Sequence, residues 1–65
     1  MSYVFRIESA KYGYRYIVTR KNKVPRNMIL RTEGYKLDRI LRDNEISEFV
    51  QYCIDNNISI GFTWE

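Results

Sequence analysis

The sequence contains no histidine, one cysteine and one proline among its 65 residues. Without histidine there is no Ser/His/Asp or Cys/His catalytic arrangement, and one cysteine alone cannot build a zinc site. The three glycines are too far apart to form a phosphate-binding loop. Paired carboxylates could still do acid–base chemistry, but so small a domain rarely encloses a pocket of about 300–1,000 Å³. We therefore expect a non-catalytic protein with no metal and no cofactor.

Long apolar runs are also missing, which bears on where the protein works. No stretch of 18 apolar residues could form a membrane span. Residues 1–9 have no apolar core of a secretory signal. The single Cys53 cannot form an internal disulfide, whereas small secreted domains usually contain several. We expect a cytoplasmic location and no membrane partner.

The composition is that of one folded domain over residues 1–65. Hydrophobic residues make up 45% of the chain and charged residues 29%, as in ordinary globular proteins. So short a chain buries only about 60% of its unfolded surface, so its stability should be modest.

The N-terminal half shows the alternation of β-strands. Residues 3–8 and 14–20 alternate apolar and polar side chains, which predicts an antiparallel hairpin with a turn over residues 9–13. Residues 21–27, KNKVPRN, predict a loop, and residues 28–32 predict a third strand. Residues 35–42 fit either a short helical turn or an extended connection.

The C-terminal half shows a helix followed by a strand. Residues 44–56 have the helical spacing of an apolar stripe, made of Ile46, Phe49, Val50, Cys53 and Ile54. Asp43 or Asn44 is expected to cap this helix and Asn56–Asn57 to end it. Residues 58–65 alternate again, which predicts a last strand with Phe62 and Trp64 in the core.

The predicted fold class is therefore α+β. The expected architecture is a small antiparallel sheet, with elements in the order β-β-β-α-β and one amphipathic helix packed on one face.

Charge is distributed unevenly along the chain. Residues 33–65 carry a net charge of −4, whereas residues 9–32 contain seven positive side chains and no negative one. These seven are Lys11, Arg15, Arg20, Lys21, Lys23, Arg26 and Arg31. A one-signed stretch attracts an anionic partner, although it could also be an ordinary solvated face.

Nucleic acid is the partner that the basic stretch suggests most directly. Cationic side chains neutralise phosphates and aromatic rings stack on bases, and Tyr12, Tyr14 and Tyr16 lie among the cations. The alternation puts Tyr14 and Tyr16 on one face, which is either the core beneath the helix, the favoured interpretation, or an exposed stacking surface; in the first case Arg15 lies on the opposite, open face. The predicted binding residues are Lys11, Tyr12, Arg15, Arg20, Lys21, Lys23, Arg26 and Arg31. The alternative for the densest group, on the loop after the second strand, is a solvated loop tip.

The outer face of the predicted helix is acidic. Glu45 and Glu48, with Tyr52, could dock a protein, or could simply be a solvated helix face. The acidic helix of one copy could also meet the basic loop of another and give a homo-oligomer. Cys53 lies on the apolar stripe and is expected to be a buried structural cysteine.

Two resemblances accompany these patterns. Residues 14–36, YRYIVTRKNKVPRNMILRTEGYK, resemble a strand–turn–strand pattern ending in T/S-E-G-Y that occurs in small uncharacterised bacterial domains. The KVPRN insert departs from the short turn of that pattern, and no function follows from the likeness. The bias toward Ile, Asn, Tyr and Lys resembles that of small proteins of AT-rich phages, which often bind and block a host component.

The sequence thus predicts a small non-catalytic binding module whose basic region 11–31 engages an anionic partner, most directly nucleic acid. The alternative is a protein-directed inhibitor or adaptor that uses the basic loop or the acidic helix face on another protein. Salt dependence separates the two, because phosphate binding weakens steeply with ionic strength.

Overall fold

The structure, a computed structural model, describes residues 1–11 and 13–63. Within them the strands are β1 (Ser2–Ser9), β2 (Gly13–Thr19), β3 (Gly34–Leu41) and β4 (Ile60–Thr63). The helices are α1 (Arg26–Ile29) and α2 (Ile46–Asp55), and a 3₁₀ turn at Asp43–Glu45 leads into α2. The α+β class and the β-β-β-α-β order are confirmed, with α1 as a short addition between β2 and β3.

The strands form one sheet in the order β3-β1-β2-β4. β1 pairs antiparallel with both β2 and β3, whereas β4 pairs parallel with β2. The sheet is therefore mixed rather than wholly antiparallel. The physical reason is α2, which carries the chain across one face between β3 and β4, as a parallel arrangement requires.

The predicted strand over residues 28–32 is wrong, because the chain makes a helical turn there. The N–H groups of Met28 and Ile29 donate to the Pro25 carbonyl at 3.0 and 3.1 Å. Pro25 has a φ of −56°, and proline with this fixed φ suits the start of a helix. The third strand is instead β3, so the ambiguous segment after Gly34 is extended.

Two apolar clusters lie on opposite faces of the sheet. The helix-side cluster packs beneath α2 and consists of Val4, Tyr16, Val18, Leu41, Phe49 and Cys53. The groove-side cluster consists of Phe5, Ile7, Ile17 and Val24, with Tyr3 and Met28 partly buried against it. The face that was expected to be open is thus covered in part by the returning segment after β2.

The ends of α2 differ in how well the sequence predicted them. Asn57 has a φ of 56°, and the Ile58 N–H donates to the Cys53 carbonyl at 2.8 Å. This is the left-handed helix ending expected of Asn56–Asn57. At the start, neither Asp43 nor Asn44 caps the helix. The Glu45 carboxylate instead accepts the Arg42 N–H at 2.9 Å across the 3₁₀ turn that precedes α2.

The apolar side chains at the end of the chain are less buried than predicted. β4 lies at an edge of the sheet, and Phe62 is 44% exposed. Ile54, the last residue of the predicted stripe, is 60% exposed. The buried residues of α2 are Phe49 and Cys53. The expected burial of Trp64 lies outside the described residues.

Candidate functional site

A groove of about 710 Å³ opens on the face of the sheet opposite α2. We call it the basic groove. Ile7 and Met28 provide its apolar floor, and Arg15 and Arg31 line it with positive charge. Its remaining lining residues are polar, glycine or tyrosine, namely Ser9, Gly13, Tyr14, Asn27, Thr32 and Ser59. A concave space of this size exceeds what the chain length led us to expect, and it falls in the range that holds small ligands.

The two arginines of the groove come from different elements. Arg15 lies on β2 and points away from Tyr14 and Tyr16, as the alternation predicts. Arg31 follows α1, where its N–H donates to the Met28 carbonyl at 3.1 Å. The Glu33 N–H then donates to the Glu8 carbonyl at 3.1 Å and fixes this segment to β1. No carboxylate lines the groove among the residues that the structure describes.

The tyrosines of β2 divide between core and rim. Tyr16 is buried beneath α2, and its ring centroid lies 5.2 Å from that of Phe49. The ring of Tyr14 is 5.7 Å from that of Tyr16 and has the Arg6 guanidinium 3.9 Å from its centroid. The core prediction therefore holds for Tyr16, whereas Tyr14, whose ring lies on the same face of the sheet, is 37% exposed.

One stretch of strand backbone borders the groove without a ladder partner. The pairing of β4 with β2 begins opposite Tyr16, whose N–H donates to the Ser59 carbonyl at 2.9 Å. Alternate residues of a strand direct their N–H and C=O groups to the same side. The N–H and C=O of Tyr14 therefore face the side of the strand on which β4 lies, but Tyr14 precedes the first residue of β2 that pairs with β4. Among residues 1–11 and 13–63, no strand pairs with Tyr14 on that side.

The structure separates the predicted basic residues into two groups. Arg15 and Arg31 line the groove, whereas the loop cations do not. The loop cations are exposed, and they are Arg20, Lys21, Lys23 and Arg26. Lys11 is exposed in the turn between β1 and β2. Tyr12 lies outside the described residues.

The sequence analysis missed the polar residues that complete the groove. Asn27 and Thr32 reach it only because the chain folds back through α1, and Ser59 reaches it through the parallel β4. The Pro25 that begins the helical turn was the signal available for the first two. No local pattern pointed to Ser59.

The acidic helix residues lie on the α2 side of the sheet. Glu45, Glu48 and Tyr52 line a smaller groove of about 270 Å³ together with Arg39. Arg39 hydrogen-bonds Asp38 at 2.6 Å, and this bond is the main reason that its pKa is raised. The Glu45 carboxylate already accepts the Arg42 N–H, so this groove offers one less unengaged carboxylate than the sequence suggested.

Comparisons with family models, with curated proteins and with solved structures find no match to this chain. In the described part of the chain, no helix is long and apolar enough to cross a membrane. Over the same residues, no three acidic or thiol side chains are grouped closely enough to hold a metal ion.

Proposed function

We propose that the protein is a small non-catalytic module that binds nucleic acid through the basic groove. The observation that carries the proposal is that Arg15 and Arg31, from separate elements, line one groove in which no described carboxylate competes for them. Guanidinium groups suit phosphate because they donate hydrogen bonds in a planar fork.

The exposed loop cations support the same proposal. They follow β2 directly and are joined to the groove by the short segment that contains Val24 and α1. A polyanion longer than the groove can therefore meet further positive charge, and each neutralised phosphate adds to affinity. We propose that this takes place in the cytoplasm, which the buried, unpaired Cys53 supports.

The test is the salt dependence of binding to a nucleic acid, compared between two variants of equal charge. Arg15→Gln/Arg31→Gln removes the groove cations. Lys36→Gln/Arg42→Gln removes two exposed cations that do not line the groove. Each lost phosphate contact should lower the slope of log K against log salt by about 0.7–0.9. Of these two variants, we expect only the groove variant to show the lower slope.

A third variant tests the loop by changing all four of its cations to Gln. Its slope should also fall, and its melting temperature should stay close to that of the unmodified protein because exposed charges contribute little to folding. The proposal fails if the unmodified protein retains neither DNA nor RNA at about 50 mM salt, where non-specific contacts register.

The second candidate function is a protein-directed inhibitor or adaptor. Its support is an apolar strip on β3, where Tyr35, Leu37 and Ile40 are 47%, 41% and 47% exposed. Within the described residues β3 is an edge strand. The loop and the acidic α2 face remain alternative surfaces for a protein, including a second copy of this chain. A binding partner that survives nuclease treatment and is lost in Leu37→Ser/Ile40→Ser would favour this function.

A further inference from the structure

We infer that the basic groove takes an unpaired nucleotide of a single-stranded nucleic acid, whose base edge pairs with the backbone N–H and C=O of Tyr14. The inference rests on the proposed function and adds to it the strandedness of the partner and the atoms that meet the base. It comes from three features of the groove that lie together.

The first feature is the unpartnered stretch of β2. The N–H and C=O of Tyr14 point to the side where β4 has not yet begun, and Gly13, Tyr14, Arg15 and Ser59 all line the groove there. A strand edge of this kind offers one donor and one acceptor side by side. The pairing edge of an unpaired base offers the complementary acceptor and donor. In a duplex these base atoms are already used.

The second feature is the chemistry of the lining. Ile7 and Met28 give the groove an apolar floor, which suits the flat face of a base. The amide of Asn27 and the hydroxyl of Thr32 add further hydrogen-bonding groups.

The third feature is the position of the charges. Arg15 immediately follows Tyr14 on β2 and lies on the other side of the strand from its ring, so a phosphate on Arg15 leaves the Tyr14 backbone free for the base. Arg31 lies on the returning segment at the same groove. A base bound at Tyr14 would lie between Arg15 and Arg31. In a single strand each nucleotide has a phosphate on either side, so the two arginines can meet the two phosphates that flank this base.

The experiment compares four ligands by fluorescence anisotropy, of which the three single strands carry equal charge. A thymidine oligonucleotide of about 12 residues is suitable, since single-strand binders of small size cover about 4–16 nucleotides. The comparison ligands are the same strand in a duplex, a uridine RNA of the same length, and a thymidine strand methylated at N3. The methylated strand has lost the N3–H hydrogen-bond donor. We expect the methylated strand to bind about tenfold more weakly with an unchanged salt slope, because its phosphates are intact.

The results separate this inference from the proposed function. Equal affinity for duplex and single strand, or no effect of N3 methylation, overturns the inference and leaves the proposed function standing. Failure of every ligand to bind overturns both. The affinities for the thymidine DNA and the uridine RNA show whether the single strand is DNA or RNA.

A backbone substitution tests the protein side of the contact. The chain is short enough for chemical synthesis, so the amide N–H of Tyr14 can be replaced by an ester without changing any side chain. We expect the thymidine strand then to bind about tenfold more weakly, because a thymine carbonyl oxygen loses the N–H from which it accepts, with the melting temperature nearly unchanged. N3 methylation should still weaken binding, because it removes the separate bond to the Tyr14 carbonyl. The matched control is an ester at Tyr16, whose N–H bonds Ser59 in the sheet and whose loss should lower the melting temperature. Unchanged affinity of the Tyr14 ester for the thymidine strand overturns the inference.

Discussion

Asn57 occupies the one described non-glycine position with a positive φ, at 56°, where it ends α2. Most side chains pay about 1–2 kcal/mol in this left-handed conformation, whereas glycine does not. The position lets the Ile58 N–H reach the Cys53 carbonyl and sets the direction in which the chain enters β4.

Substitutions at Asn57 should therefore separate by backbone preference and not by side-chain size. Asn57→Ala should lower the free energy of unfolding by about 1 kcal/mol, and Asn57→Gly should leave it equal or slightly higher. Urea denaturation of the two variants measures the difference. Equal stability of the alanine and glycine variants would contradict the role given to this residue.

Cys53 and Tyr16 should make stability depend on alkaline pH. Burial raises the pKa of the Cys53 thiol above its ordinary value of 9.0, and it is also the main cause of the raised pKa of Tyr16, whose ordinary value is 10.0. In each case the unfolded chain loses its proton first. Stability is therefore fully present below the unfolded pKa and is lost as pH rises toward the folded pKa.

The loss should begin near pH 9 in the unmodified protein and near pH 10 in Cys53→Ala, where only Tyr16 of this pair remains. Melting temperatures across pH 7 to 11 measure both curves. If the two curves run parallel throughout, the cysteine does not contribute.

At the scale of elements, α2 and the β1–β2 hairpin could be predicted because each has a clean period of apolar residues. α1 and β3 could not. Residues 28–30 are apolar and fit a strand as well as a helical turn. The helical turn forms because the Pro25 carbonyl accepts the N–H groups of Met28 and Ile29. Tyr35, Leu37 and Ile40 line one side of β3, but Val4 and Phe5 of β1 pair with Arg39 and Leu37, so Asp38 is an extra residue in β3 that interrupts the alternation.

The packing of α2 on the sheet depends most on Phe49. Its side chain is 5% exposed and contacts the ring of Tyr16, while the Arg39 guanidinium lies 4.7 Å from its ring centroid. Phe49→Ala should lower the free energy of unfolding by about 3–5 kcal/mol, a large share of the about 5–15 kcal/mol that is typical of native proteins. Thermal melting checks this, with exposed Gln51→Ala on the same helix as the control. An unchanged melting temperature for Phe49→Ala would contradict the packing.

At the scale of the whole molecule, the groove residues Arg15 and Arg31 and the acidic residues of α2 lie on opposite faces of the sheet. The basic segment returns across one face, and α2 with its preceding turn carries Asp43, Glu45, Glu48 and Asp55 across the other. The sequence showed this separation along the chain but not in space. Arg15 and Arg31 could be named as binding residues from charge alone, whereas their meeting in one groove depends on α1 and on the bond from Glu33 to Glu8.

The same sheet also keeps the two apolar clusters apart, and they share no residue. Substitutions that do not touch one another usually change stability additively. Substitutions at the exposed groove residues should therefore leave the packing of α2 unchanged, whereas substitutions in the buried groove-side cluster should lower stability by an amount of their own.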